Sequence, residues 1–292
     1  MRDGFLNILK PPGMSSHDIV GEVRRALGVK KVGHAGTLDP GAAGVLPIAV
    51  GRATRLIEYL GDVDKSYRAE MELGYATDSC DDLGNVLVKQ DFLMPSLAEV
   101  KEAAAAFKGK IKQVPPIYSA IKINGRRACD LARQQQSLEI PEREIEIFSL
   151  DILAVSGPHI LFDVCCSKGT YVRSLCRDLG EKLSIPAVMT FLVRTRVGDF
   201  SLSEAVTIEE LKAGSAVPVP PEKYLTHLRS YELPPARIKA FRNGLSTGIR
   251  EEFADGTRLL VFSGVEFIGV GRYTGKTKEI LPEKVYSYGE NR

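Results

Sequence analysis

Residues 33 to 47 read Gly-His-Ala-Gly-Thr-Leu-Asp-Pro-Gly-Ala-Ala-Gly-Val-Leu-Pro and hold one acidic side chain, Asp39. Just upstream, Arg24, Arg25, Lys30 and Lys31 lead to His34, with no acid between Arg24 and His34. A lone carboxylate at the mouth of a basic surface suggests chemistry on a polyanion, with the carboxylate as the reacting group. Gly33, Gly36, Gly41 and Gly44 let the backbone take positive φ and approach a ligand closely. Pro40 restricts Asp39 toward the extended region. A plain surface turn of the Asp-Pro-Gly type explains the same residues, so shape leaves both readings open.

The loop, with its segment Gly44-Val45-Leu46-Pro47, resembles the catalytic segment of TruB-type tRNA pseudouridine synthases. Four further stretches are similar to that family's motifs. They are Leu9-Lys10-Pro11-Pro12-Gly13-Met14-Ser15-Ser16, Asp64-Lys65-Ser66-Tyr67-Arg68, Gln113 to Lys122, and Ser167 to Leu175. Their order and spacing match across about two hundred residues, and five such segments in register are far more specific than one.

The resemblance implies isomerisation of the T-loop uridine at tRNA position 55. The bond from ribose C1′ to uracil N1 breaks, the base turns, and C1′ joins C5. That reaction is redox neutral, so no cofactor and no metal is expected. By the resemblance, Asp39 attacks or stabilises the reacting centre, and Arg173 supplies the cation that keeps a buried carboxylate ionised. Tyr67 stacks on the uracil and helps to move a proton, while Tyr171 and Leu192 wall the pocket. His34 enters the space the flipped base leaves, offsetting an unstacking cost of roughly a few kcal/mol. Lys10, counted with the substrate-binding residues, is expected to brace the catalytic loop rather than react; Lys122 is expected to contact RNA. Two departures from the family pattern occur: Cys129 replaces an aromatic residue, and Gln135 and Gln136 stand where glycine is common.

With 292 residues, 44% hydrophobic and 26% charged, the chain can bury a sizeable core and reads as a soluble globular protein. A net charge of +2 predicts no nucleic-acid partner by itself. Distribution says more: Lys108, Lys110, Lys112, Lys122, Arg126 and Arg127 share an acid-free stretch, as do Arg237, Lys239, Arg242 and Arg250. Such segregation suits a polyanion-binding face. Five cysteines without a C-x-x-C pair argue against a disulfide framework or a structural zinc site and for a reducing cytosol. No apolar stretch reaches membrane-spanning length, and no signal peptide is seen. A cytoplasmic monomer acting on tRNA, with no membrane and no protein partner, is the expectation.

The elements that must position these residues follow from pattern. Phe5 to Lys10 reads as a strand ended by Pro11-Pro12-Gly13. Ser15 and Asp18 form a capping box ahead of a helix that Gly28 stops. Val45 to Val50 reads as a buried strand and Arg52 to Leu60 as a helix. Tyr67, Ala69, Met71 and Leu73 alternate as the buried face of a strand. Ser96 and Glu99 open a second helix, Asn124-Gly125 marks a hairpin, and 144–155 with 160–166 make antiparallel strands. Tyr171 to Leu183 reads as a helix and 187–200 contains a strand. The sum is an α+β fold: a mixed, mostly antiparallel sheet flanked by helices. The expected division is 1–229 for the catalytic domain and 230–292 for a small β-rich unit, PUA-like and RNA-binding by the resemblance.

Four rival functions stand beside this. A glycoside hydrolase or nucleosidase also attacks an anomeric carbon but uses paired carboxylates, and the motifs supply no obvious second acid near Asp39. A non-catalytic RNA-binding or tRNA-folding protein would need the basic face without Asp39, Tyr67 and Arg173. A guide-RNA-dependent pseudouridine synthase shares the central motifs, but this chain has no basic low-complexity tail and carries an insertion-like segment at 75–90. A nucleotide-binding P-loop fails for want of the Gly-Lys-Ser/Thr ending.

Overall fold

A computed structural model describes residues 3–119, 121–123, 126–127 and 140–287. The first half contributes β1 (Gly4–Lys10), β2 (Val32–His34), β3 (Ala43–Val50), β4 (Lys65–Leu73), β5 (Tyr75–Thr77), β6 (Val86–Lys89) and β7 (Gly109–Gln113). Then come β8 (Lys122–Ile123), β9 (Arg126–Arg127), β10 (Arg143–Ser156), β11 (His159–Cys166), β12 (Ala187–Val197) and β13 (Phe200–Ser201). The last part holds β14 (Arg229–Glu232), β15 (Thr247–Gly248), β16 (Arg258–Ser263), β17 (Glu266–Thr274) and β18 (Glu279–Val285).

Nine strands form one sheet in the order β1-β3-β12-β4-β11-β10-β7, with β2 added on β3 and β13 on β12. Its ladders are antiparallel apart from β3 with β12, which run parallel at Val193–Ala43 and Arg194–Gly44. That junction joins the Asp39 loop to the middle of the sheet. It requires glycine at 44, where φ is 111° and a Cβ would lie 2.2 Å from the Arg194 carbonyl oxygen.

Local signals act where the sequence puts them. The helix Ser16–Leu27 has Ser15 and Asp18 in a reciprocal capping box and Gly28 at φ 63°. Ser96 and Glu99 cap the helix Leu97–Ala105 in the same way. Tyr67, Ala69, Met71 and Leu73 face inward on β4. The stretch 52–60, expected as a helix, lies in the 3-10 helix Gly51–Leu60. The Asn124-Gly125 turn falls outside the described residues, and the strands on either side pair antiparallel, Ile123 with Arg126.

The core is built on both faces of the main sheet. The helices Leu97–Ala105 and Val172–Lys182 cover one region with Ala103, Leu175 and Leu179 packed near Met71 and Phe162. The helix Ser16–Leu27 packs Ile19 and Val23 against Ile8, Leu46 and Ile48. The second sheet, β14-β16-β17-β18-β15, shares a core with the first: Leu260, Phe267, Val270 and Tyr286 cluster with Phe5, Ala49 and Leu60. Arg258 lies over the Tyr59 ring at 5.3 Å, and Lys284 pairs with Glu58 at 3.0 Å across the same boundary. No described helix is long and apolar enough to cross a membrane.

Candidate active site

Asp39 sits on a loop whose two flanking residues are tied down from the N-terminal segment. Ser16 Oγ bonds both the N–H of Leu38 (2.9 Å) and its carbonyl (3.1 Å). The Pro40 carbonyl accepts from Gly13 N–H at 2.8 Å and from Lys10 Nζ at 3.2 Å. Lys10 also donates to the carbonyls of Pro11 (2.9 Å) and Met14 (2.6 Å). Its three ammonium donors are thereby used, and its side chain is fully buried. Lys10 is thus a brace with no donor left over for substrate. Burial pulls its ammonium down to about 8, with Asp39 opposing that fall and Arg194 adding to it.

Arg173, in the first turn of the helix Val172–Lys182, reaches Asp39 with Nε 3.0 Å from Oδ2. The other limbs of the fork are occupied as well: Nη1 donates to Ser79 O (3.0 Å) and Nη2 to Tyr118 O (2.9 Å). Nη1 also lies 3.6 Å from Oδ2 of Asp81. The expectation of a solitary carboxylate is therefore corrected, because Asp81 shares the Arg173 guanidinium with Asp39. Asp81 is itself held, accepting from Ser79 Oγ (2.5 Å) and Leu83 N–H (3.2 Å). A second correction concerns burial. The Arg173 side chain is 6% exposed and that of Asp39 is 43% exposed. Water already reaches the carboxylate, so the pairing serves to aim it.

Tyr67 is buried on β4 and clusters with Leu38, Val172 and Leu192. Leu192 on β12 packs beside it, paired in register with Ala69. Burial pushes the Tyr67 phenol up, and Arg194 opposes that shift. Tyr171 precedes the Arg173 helix, and its backbone is pinned by the Gln113 amide, which accepts from its N–H (2.9 Å) and donates to its carbonyl (3.1 Å). Its phenol is also pushed up by burial, with Ser119 opposing. His34 ends β2, half-buried, and burial with help from Arg194 and His17 lowers its imidazole pKa, favouring the neutral ring. Lys122 lies in β8, but its side chain falls outside the described residues, as do Cys129, Gln135 and Gln136.

Sequence reasoning passed over Asp81 and Arg194. Asp81 stands in an acidic stretch with Asp78 and Asp82, which reads as ordinary surface. Arg194 carried a usable signal, since it shares a strand face with Leu192 and a charged side chain on an inward face needs partners. It is 1% exposed and donates to the carbonyls of Val45 (2.8 Å), Gly36 (3.1 Å) and Thr37 (3.4 Å). The Asp39 loop is thus gripped by Ser16 and Lys10 from one side and by Arg194 from the other.

Comparison with known proteins adds an independent line. A model described as TruB family pseudouridylate synthase (N terminal domain) matches residues 24–172. One described as tRNA pseudouridylate synthase B C-terminal domain matches residues 173–228. A protein named tRNA pseudouridine synthase B from Caldanaerobacter subterraneus is 41% identical over 97% of this chain and 99% of its own length. Its namesake from Clostridioides difficile is 43% identical, covering 97% and 99%. Among solved structures, one titled "Crystal Structure of a Cbf5-Nop10-Gar1 Complex" is similar with a TM-score of 0.74 at 25% identity, covering 98% of this chain and 84% of that one.

Proposed function

The chain belongs to the TruB family of pseudouridylate synthases and isomerises uridine in tRNA to pseudouridine; we propose that Asp39, Arg173 and Tyr67 carry this reaction at uridine 55 of the T loop. Its α+β body is the pseudouridine synthase fold, with a PUA-like β unit at the C-terminal end. The observation that carries the site assignment is the Asp39–Arg173 contact at 3.0 Å, one carboxylate oxygen aimed by a buried guanidinium while the group stays open to solvent.

In this reading the uridine leaves its stack and enters beside Asp39, with Tyr67 beneath the base and Leu192 and Tyr171 as apolar walls. Asp39 engages the reacting centre as the C1′–N1 bond breaks, and the freed uracil turns until C5 faces C1′. A neutral His34 fills the gap left in the RNA without bringing a charge into the stack. The acid-free basic stretches and the 230–292 unit hold phosphates, a contribution that weakens as salt rises. We assign 1–229 to catalysis and 230–292 to RNA binding, and the active form to a cytoplasmic monomer.

Asp81 supplies the second acid that a glycosidase would need, yet both carboxylates share one arginine instead of facing a sugar from opposite sides. One other reading is the guide-RNA-dependent type that shares the central motifs, and the likeness to a Cbf5-Nop10-Gar1 complex favours dependence on partner proteins. Relatives above 40% identity that carry the tRNA synthase name weigh against it. Incubation of the isolated chain with an unmodified T-stem-loop transcript tests both readings. Pseudouridine should form without additions and should vanish in Asp39→Asn while RNA binding persists. Release of free uracil, or activity that appears after a guide RNA is added and not before, would overturn the proposal.

A further inference from the structure

Arg194 is the largest fully buried side chain described, and among the described residues it has no carboxylate partner. A buried cation without a counter-ion is costly, and such cost persists where the charge has work to do. Three of its N–H groups end on Val45, Gly36 and Thr37 carbonyls, which leaves two of its five donors uncommitted. Across the β12–β4 ladder Arg194 is the register partner of Tyr67, so their Cβ atoms stand about 5 Å apart. Both side chains are buried as neighbours across that ladder, which sets the guanidinium beside the Tyr67 ring.

We propose that Arg194 is a positioning residue that readies the Tyr67 oxygen to accept the C5 proton of the rotated uracil. This rests on the pseudouridine synthase reading above. Once C1′–C5 has formed, C5 still bears its hydrogen. The Tyr67 oxygen takes that proton as its own O–H proton passes to N1, the C5–H electron pair becomes the C5=C6 bond, and the C6=N1 pair moves to N1. Tyr67 ends as the neutral phenol it began as, so the sum is a proton moved from C5 to N1 with no other reactant.

Every charged or titratable neighbour of Tyr67 bears on this. Cys166 faces it from β11 and Asp39 from the loop, and both hold the phenol protonated, as burial does. Cys166 itself is pushed up to about 11 by burial and stays a thiol. Lys65, on the same strand, spends its ammonium on the Val63 carbonyl at 3.1 Å. Arg194 is thus the neighbour that steadies negative charge building on the oxygen as it passes its proton on.

A double-mutant cycle separates this role from simple bracing of the loop, read as single-turnover conversion of a T-stem-loop. Arg194→Gln should slow the wild-type reaction by about 10²-fold, the worth of a positioned general base. In a Tyr67→Phe background the same change should cost at least about tenfold less, the remainder being the lost grip on the Asp39 loop. Arg194→Lys, which keeps the charge but not the whole fork, should run between the glutamine variant and wild type, with RNA affinity unchanged in all variants. An equal loss in both backgrounds would make Arg194 a brace and overturn the proposal. So would a lysine variant that is folded by thermal melt yet no faster than the glutamine one. A wild-type chain that makes no pseudouridine would instead refute the parent reading, a result plainly different from additive mutants of an active enzyme.

Discussion

Arg173→Lys keeps the positive charge and removes the fork, which makes it the sharpest probe of the Asp39 environment. The guanidinium spans Asp39, the Ser79 and Tyr118 carbonyls, and Asp81, groups contributed by three separate loops. One ammonium cannot reach all of them from a single point. A lysine placed on Asp39 strands both carbonyls, each costing about 1–3 kcal/mol when buried. Because both contacts are only part-buried, the low end applies, about 2 kcal/mol of stability in total. The larger effect falls on the reaction. Nothing then fixes the direction of a half-exposed carboxylate, and a misplacement of about 1 Å costs on the order of 10²-fold in rate. That corresponds to about 2.7 kcal/mol of barrier. The assay is tritium release from a T-stem-loop carrying 5-tritiated uridine, since C5 exchanges its hydrogen for a carbon bond. KM should stay near the wild-type value while kcat drops. A lysine enzyme within about threefold of wild type, less than about 1 kcal/mol, would show that charge suffices and that the fork argument is wrong.

Two other outcomes follow from the loop. Gly44→Ala puts a Cβ 2.2 Å from the Arg194 carbonyl at a φ of 111°, so the β3–β12 junction must open; a clear loss of soluble yield and melting temperature is expected, and a variant as stable as wild type would contradict the described register. Lys10 gives a pH signature: its folded pKa is about 8 against an ordinary 10.5, so folding expels a proton between those values. The cost of burying the ammonium is present in full below pH 8 and fades as pH rises through the window, by up to about 1.4 kcal/mol per unit. Urea midpoints should therefore rise with pH relative to Lys10→Met across that range, and parallel curves would refute the assignment.

Much of this was legible in the chain because the signals are local. Two serine capping boxes, the Gly28 stop and the period-two run from Tyr67 to Leu73 fixed helices and a strand by short-range chemistry. Asp39 was conspicuous as a single acid among glycines. What stayed hidden depends on distant partners. Asp81 looks like any turn aspartate until the fold brings Arg173 to it, and Arg194 looks like a strand arginine until β3 is laid parallel to β12. The 3-10 winding of Gly51–Leu60 also escaped, since its apolar residues suit either helix and packing against β1 and β3 decides.

The core shared by the two sheets limits how this molecule can be taken apart. Phe267, Val270 and Tyr286 complete a layer begun by Phe5 and Ala49 of the first strands, so cutting at residue 229 would strip the lid from the enzyme's own interior. A chimera that borrowed this end from a relative would have to carry a matching first strand. The tail and the opening residues of the chain form a single inheritable unit, joined by packing across nearly its whole length.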